Sequence, residues 1–136
     1  MYTENLPIVF INCDLFPFVS WIILLKKIYE TRNKNTLKSL IGQRVYIAET
    51  GKGKRPVIRC LATICEPLKI ESKTKYNKLR KQTKIKKGSV YDWKTETKRK
   101  YLYPLIDVVK IPPFVPAEGI RHGFTWMEYN GIAKYL

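Results

Sequence analysis

Ile8, Val9, Phe10 and Ile11 form an unbroken apolar run between Pro7 and Asn12, the mark of a short buried strand. A different period follows. Phe18, Trp21, Ile22, Leu25, Ile28 and Tyr29 recur at three- and four-residue intervals, which predicts an amphipathic helix started by Asp14 and Pro17 and laid on a sheet. Val19, Ile23 and Leu24 widen its apolar face. Gly42, Gln43 and Arg44 lead into a second strand over 45–48, and two glycines within 50–54 predict a hairpin turn. A third, longer strand covers 57–66 and stops at Pro67. Apolar positions then thin out over 69–100, mainly to Ile70, Leu79, Ile85 and Val90. That stretch reads as a long insertion between strands, partly helical around 73–84 and mobile near Gly88. Strand alternation returns over 101–111. Pro112, Pro113 and Pro116 predict an extended stretch free of strand, and 124–129 is the last strand, with Trp126 in the core. There is no internal repeat. Short strands with few helices make this one α+β domain over 1–136, a small mixed β-barrel with flanking helices and a basic insertion.

Composition sharpens the picture at the insertion. The chain of 136 residues carries 26 Lys and Arg against 11 Asp and Glu, a formal charge of +15. With 45% hydrophobic residues it has enough apolar surface for a core, so it is not a wholly disordered basic tail. A field this one-sided calls for a polyanionic partner. Positions 69–100 hold thirteen basic and three acidic residues, interleaved with Tyr76, Tyr91 and Trp93 and followed by Tyr101 and Tyr103. A charge run of this kind reads either as a solvated face or as a nucleic-acid track. In the second reading Lys78, Arg80, Lys81, Lys84, Lys86, Lys87, Lys98, Arg99 and Lys100 contact phosphates while Trp93 stacks on a base.

Several chemistries drop out. The single histidine, His122, excludes a metal site with two His ligands or a paired-histidine nuclease. It lies in a glycine-flanked loop over 118–123, where it is either solvated or lines a pocket. Cys13, Cys60 and Cys65 contain no C-x-x-C pair, which argues against structural zinc. Cys60 and Cys65 read as small buried hydrophobes, and an odd count suits a reducing compartment. No metal or other cofactor is implied. Glu4 and Asp14 interrupt any leader, and the longest apolar run, 15–25, is broken by Pro17 and Ser20. It falls short of the roughly 20 residues a membrane span needs. The expectation is a cytoplasmic protein with no membrane partner.

Residues 17–32, PFVSWIILLKKIYETR, resemble the opening of ASCH domains, members of the PUA-like superfamily of small RNA-associated β-barrels. The family pattern is a proline-led helix and then a turn carrying G-x-K-x-x-E-x-R. Pro17 falls on the leading proline, Ile22 on a helix core position, and Lys27, Glu30 and Arg32 on the K, E and R. Leu25 stands where the pattern has glycine. Positions 42–51 and 57–64 are similar to the next two barrel strands, and 103–109 to a later one. The resemblance therefore covers most of the chain outside 69–100.

What the resemblance implies is a PUA-like barrel that binds RNA or another single-stranded nucleic acid in a base-sized pocket. The Glu30 carboxylate would accept from exocyclic amines, Arg32 would donate a planar fork, and Lys27 would supply a point charge. Phe16, Trp21 and Tyr46 are candidates to stack on the base, although Trp21 also falls on the helix core face. The alternative within the family is a small amidohydrolase acting on a modified nucleoside such as acetylated cytidine, with Lys27, Glu30 and Thr31 as its catalytic groups. Metal-assisted RNA cleavage is a further family activity, but no carboxylate cluster here has ligand spacing. A purely structural reading of Lys27, Glu30 and Arg32 is a set of ion pairs that fixes the turn. A last reading is a module for an acidic protein partner.

Overall fold

The computed structural model describes residues 6–115 together with the backbone of 126–127. Strand β1 (Ile8–Asn12) is followed by helix α1 (Phe18–Ile23), β2 (Tyr29–Arg32), a 3₁₀ turn (Lys38–Leu40), β3 (Arg44–Gly51) and β4 (Lys54–Ile64). Then come β5 (Leu68–Ile70), helices α2 (Lys73–Lys78) and α3 (Arg80–Thr83), β6 (Lys100–Phe114) and β7 (Trp126–Met127). The strands form one mixed sheet in the order β2-β6-β4-β3-β1-β7, with β5 paired to β6 beside that path. It curls strongly into a half-barrel. Only β1 and β3 run parallel.

Alternation along the strands produces two apolar faces. Val9, Ile11, Val45, Ile47, Cys60, Ala62 and Ile64 pack with Phe18, Val19 and Ile22 of α1. Ile8, Phe10, Tyr46, Ala48, Ile58, Leu61 and Ile111 form the second cluster. At six residues α1 is far too short to be stable alone. Burying Phe18, Val19 and Ile22 contributes about 1.5–3 kcal/mol each, and this packing is what holds the helix.

Two expectations are corrected here. The helix ends at Ile23 rather than running through Tyr29. Leu25 N–H bonds Ile22 O and Lys26 N–H bonds Trp21 O, with Leu25 left-handed at φ 58°. This is a Schellman ending with leucine at the position that usually holds glycine. Ile28 and Tyr29 fit the helical period, but the strand pairing of 29–32 with 101–104 in β6 captures the segment instead. Asp14 does not cap the helix either. Its Oδ1 accepts from Lys52 N–H at 2.7 Å, so it fastens the β3–β4 turn, and α1 has no side-chain cap.

β6 also runs through Pro112 and Pro113 to Phe114, where a strand-free stretch was expected. β2 pairs with β6 only over 101–104. Past that point the far side of β6 has no partner strand among the described residues, which accommodates one of the two consecutive prolines. The β4–β6 pairing shifts register between Ile58 and Cys60, opposite the pair, which accommodates the other. β2 and β5 are both absent from the sequence pattern. Pro116, His122, the 118–123 loop and the core placement of Trp126 lie outside the described residues, and of the expected strand over 124–129 only Trp126–Met127 is described.

Candidate functional site

The turn after α1 delivers Lys27, and β2 delivers Glu30, Thr31 and Arg32, to one wall of a cavity of about 390 Å³. Phe10, Ile11, Asn12 and Phe18 form another side, and Ile85, Val90, Tyr91 and Lys100 come from the insertion. The insertion is thus built into the site. Lys27 Nζ donates to Thr83 O at 2.6 Å, Ile28 N–H donates to Gln82 O, and Lys100 Nζ binds Asn33 Oδ1 at 2.6 Å and Tyr91 O at 3.0 Å.

Lys27 is 1% exposed, and its ammonium sits 4.8 Å from the centre of the Phe18 ring. Burial lowers its pKa to about 8, since the charged form loses its water. The Glu30 carboxylate opposes that shift and the Arg32 guanidinium adds to it. Arg32 holds Glu30 through Nε at 3.0 Å and Nη2 at 2.8 Å, both on Oε2. Nη2 also donates to Phe10 O at 3.0 Å, which locks the fork in place. Glu30 Oε1 has no protein partner among the described residues. Thr31 Oγ1 is buried and has no hydrogen-bond partner among the described residues.

The turn over 86–93 is pinned by Asp92. Its carboxylate accepts from the Gly88 and Trp93 amides at 2.8 Å each and pairs with Arg80 at 2.9 Å. Burial alone raises this carboxyl, but the two amides and Arg80 outweigh it and hold it below the usual range. The region near Gly88, read from sequence as mobile, carries these bonds as a defined turn.

The structure thus brings Lys27, Glu30, Thr31 and Arg32 together and sorts the other predicted residues. Tyr46 is fully buried in the second apolar cluster, edge-on to Phe114, and does not line the cavity. Trp21 packs on the core as its helical position implied, and Phe16 stacks among Phe18, Trp21 and Tyr91 rather than lining the cavity. Arg80 is committed to Asp92, Asn77 Oδ1 and Ile85 O. Lys100 is buried on Asn33 and Tyr91, and Trp93 packs on Tyr76. These three carry contacts that hold the insertion together. Lys84 is half-buried at the end of α3, in the left-handed region. Lys78, Lys81, Lys86, Lys87, Lys98 and Arg99 are exposed.

The aromatic residues that line the cavity are Phe10, Phe18 and Tyr91. Tyr91 lies edge-on to Phe18 and reaches Asn12 Oδ1 at 3.4 Å. Sequence reasoning noted Tyr91 only as part of the interleaved run, and missed Asn12 and Asn33 at the rim. Burial pushes the Cys13 thiol up to about 11 and the Cys60 thiol up to about 12, the wrong direction for nucleophiles. Among the described residues no group of three His, Cys, Asp or Glu stands together as a metal site. Among them, too, no helix is long and apolar enough to cross a membrane.

No protein-family model and no curated protein matches the chain. Its likeness is to solved structures. The crystal structure of ASCH from Zymomonas mobilis superposes with a TM-score of 0.71 at 14% identity, covering 91% of this chain and 87% of that one. Two single-site variants of the same protein give TM-scores of 0.72 and 0.71 at 15% identity, again over 91% of this chain. The chain therefore has the ASCH fold, as the resemblance of residues 17–32 implied.

Proposed function

We propose that this ASCH-fold chain binds single-stranded nucleic acid, RNA foremost, by taking one base into the cavity at Lys27, Glu30 and Arg32. The observation that carries the reading is the composition of that cavity. At about 390 Å³ it has the size of a small-molecule site. It sets a carboxylate with one oxygen unclaimed by described residues beside a fixed guanidinium, a buried ammonium and the rings of Phe18 and Tyr91. A flat heterocycle with mixed donor and acceptor edges matches such a wall, and the rings offer it apolar contact. A ligand of charge alone would not use the aromatic side. The excess of +15 supplies the attraction to the strand, and the exposed Lys78, Lys81, Lys86, Lys87, Lys98 and Arg99 are the groups available to phosphates.

The test is binding of labelled short RNAs that differ in one central base. Glu30→Gln keeps the shape and removes the charge. It should level the base preference while leaving the salt dependence in place. Retained preference in this variant would refute a base pocket at Glu30.

One observation favours hydrolysis of a modified nucleoside as a second reading. Lys27, lowered to about 8, lines the cavity, and Thr31, whose buried hydroxyl has no partner among the described residues, belongs to the same wall. A neutral Lys27 amine would take a proton from water as the water adds to the amide carbon of acetylated cytidine. The C–N bond would then break as the Lys27 ammonium returns that proton to the departing exocyclic nitrogen, giving acetate and the free amine. Turnover lost in Lys27→Ala supports this reading, and binding without product release opposes it.

A further inference from the structure

Beside the base-sized cavity lies a second one of about 460 Å³, between residues 33–35 and the 90–101 stretch of the insertion. The two share a wall made of Asn33, Val90 and Lys100. Their linings differ in kind. The first is aromatic and mixed in charge. The second is lined by Lys34, Lys94, Lys98 and Arg99, besides the shared Lys100. Its two carboxylates are Asp92 and Glu96, and Asp92 is already neutralised by Arg80. Lys94 is tied to Ser89 O and Lys100 to Asn33 and Tyr91. Lys34, Lys98 and Arg99 are exposed and have no side-chain partner among the described residues.

A base held in the first cavity remains bonded through its sugar to two phosphates. At least one of them must leave past the rim. On the Asn33–Lys100 side the rim adjoins the second cavity and its unpaired cations. The geometry points to this second cavity as the seat of the phosphate adjoining the pocketed base, with Lys98, Arg99 and Lys34 as its contacts. The assignment rests on the base-pocket reading and makes the ligand a strand rather than a free nucleoside. It also separates two parts of the basic insertion. Residues 94–99 serve the nucleotide next to the pocket. Lys86 and Lys87 line neither cavity and reach only more distant phosphates.

Five-nucleotide RNAs with each base in turn at the centre test this, measured by anisotropy across a salt series. The Lys98→Ala/Arg99→Ala variant removes two exposed side chains with no partner to lose. It should bind all the RNAs more weakly and evenly, keep the base preference, and flatten the salt slope by about 0.7 for each phosphate released. The Lys86→Ala/Lys87→Ala variant should match wild type on so short a strand. Equal losses in both variants would show bulk charge rather than a site and overturn the assignment. Binding that Glu30→Gln alters but Lys98→Ala/Arg99→Ala does not would overturn the phosphate seat alone. Wild-type protein with no base preference at all would remove the pocket reading, and this inference with it.

Discussion

Lys27 decides how the site behaves with pH. Its ammonium has lost nearly all its water, and its pKa falls to about 8 from the usual 10.5. Between those values the unfolded chain still holds the proton that the folded chain has released. Stability therefore rises with pH across that window and is flat below it, where both states are charged. The full rise is about 3 kcal/mol. Burial raises Tyr76, Cys13 and Cys60, which work in the opposite sense above about pH 9. The difference between wild type and Lys27→Met isolates the lysine. Urea midpoints at about pH 7.5, 8.5 and 9.5 should diverge, with the wild type gaining on the variant; parallel lines would mean that Lys27 is not desolvated. Much of this was legible in the sequence, because the K-x-x-E-x-R spacing put Lys27, Glu30 and Arg32 on adjoining turns of chain. The acceptor of Lys27, Thr83 O, was not. It lies 56 residues away, and no local pattern reports a contact set by how the insertion folds back.

The elements were read best where a local period prevailed and worst where tertiary pairing overrode it. The buried run at β1 and the third long strand are close to their expected places. The segment after Ile23 keeps a helical period through Tyr29, and tertiary pairing with β6 overrides it. What breaks α1 is Leu25, which carries a left-handed conformation that costs an L-residue about 1–2 kcal/mol. Sequence propensity argues against such a turn at leucine, yet the Schellman bonds hold it there. The side chain is 67% exposed and gives little packing in return. Leu25→Gly should relieve the strain, lose about 0.5–1 kcal/mol to backbone freedom in the unfolded chain, and stabilise on balance by about 0.5–1 kcal/mol. Leu25→Ala keeps the Cβ and should gain nothing. A shift of the urea midpoint at constant m-value in the glycine variant alone confirms the account, and destabilisation would reject it.

At the scale of the whole molecule the charge of +15 acts on two equilibria with opposite sign. Much of it sits between positions 69 and 100, and that stretch folds against the sheet through Lys27, Lys100 and the Asp92 turn. Folding therefore brings like charges closer together. Added salt screens that repulsion and should raise the melting temperature of the free protein. Binding to a strand runs the other way, because each neutralised phosphate releases a counterion and salt opposes that release. On the proposed reading, a single-stranded RNA present at about 100 times its Kd would stabilise the fold by about 2.7 kcal/mol, and the gain would vanish as salt raises the Kd. Melting curves from about 50 to about 500 mM NaCl should therefore converge. The protein alone climbs, the complex falls, and the two meet where the RNA no longer binds. If the free protein does not climb, the surface charges are already compensated by the fold. If the RNA adds nothing at the lowest salt, the excess of lysine and arginine serves a partner other than a nucleic-acid strand.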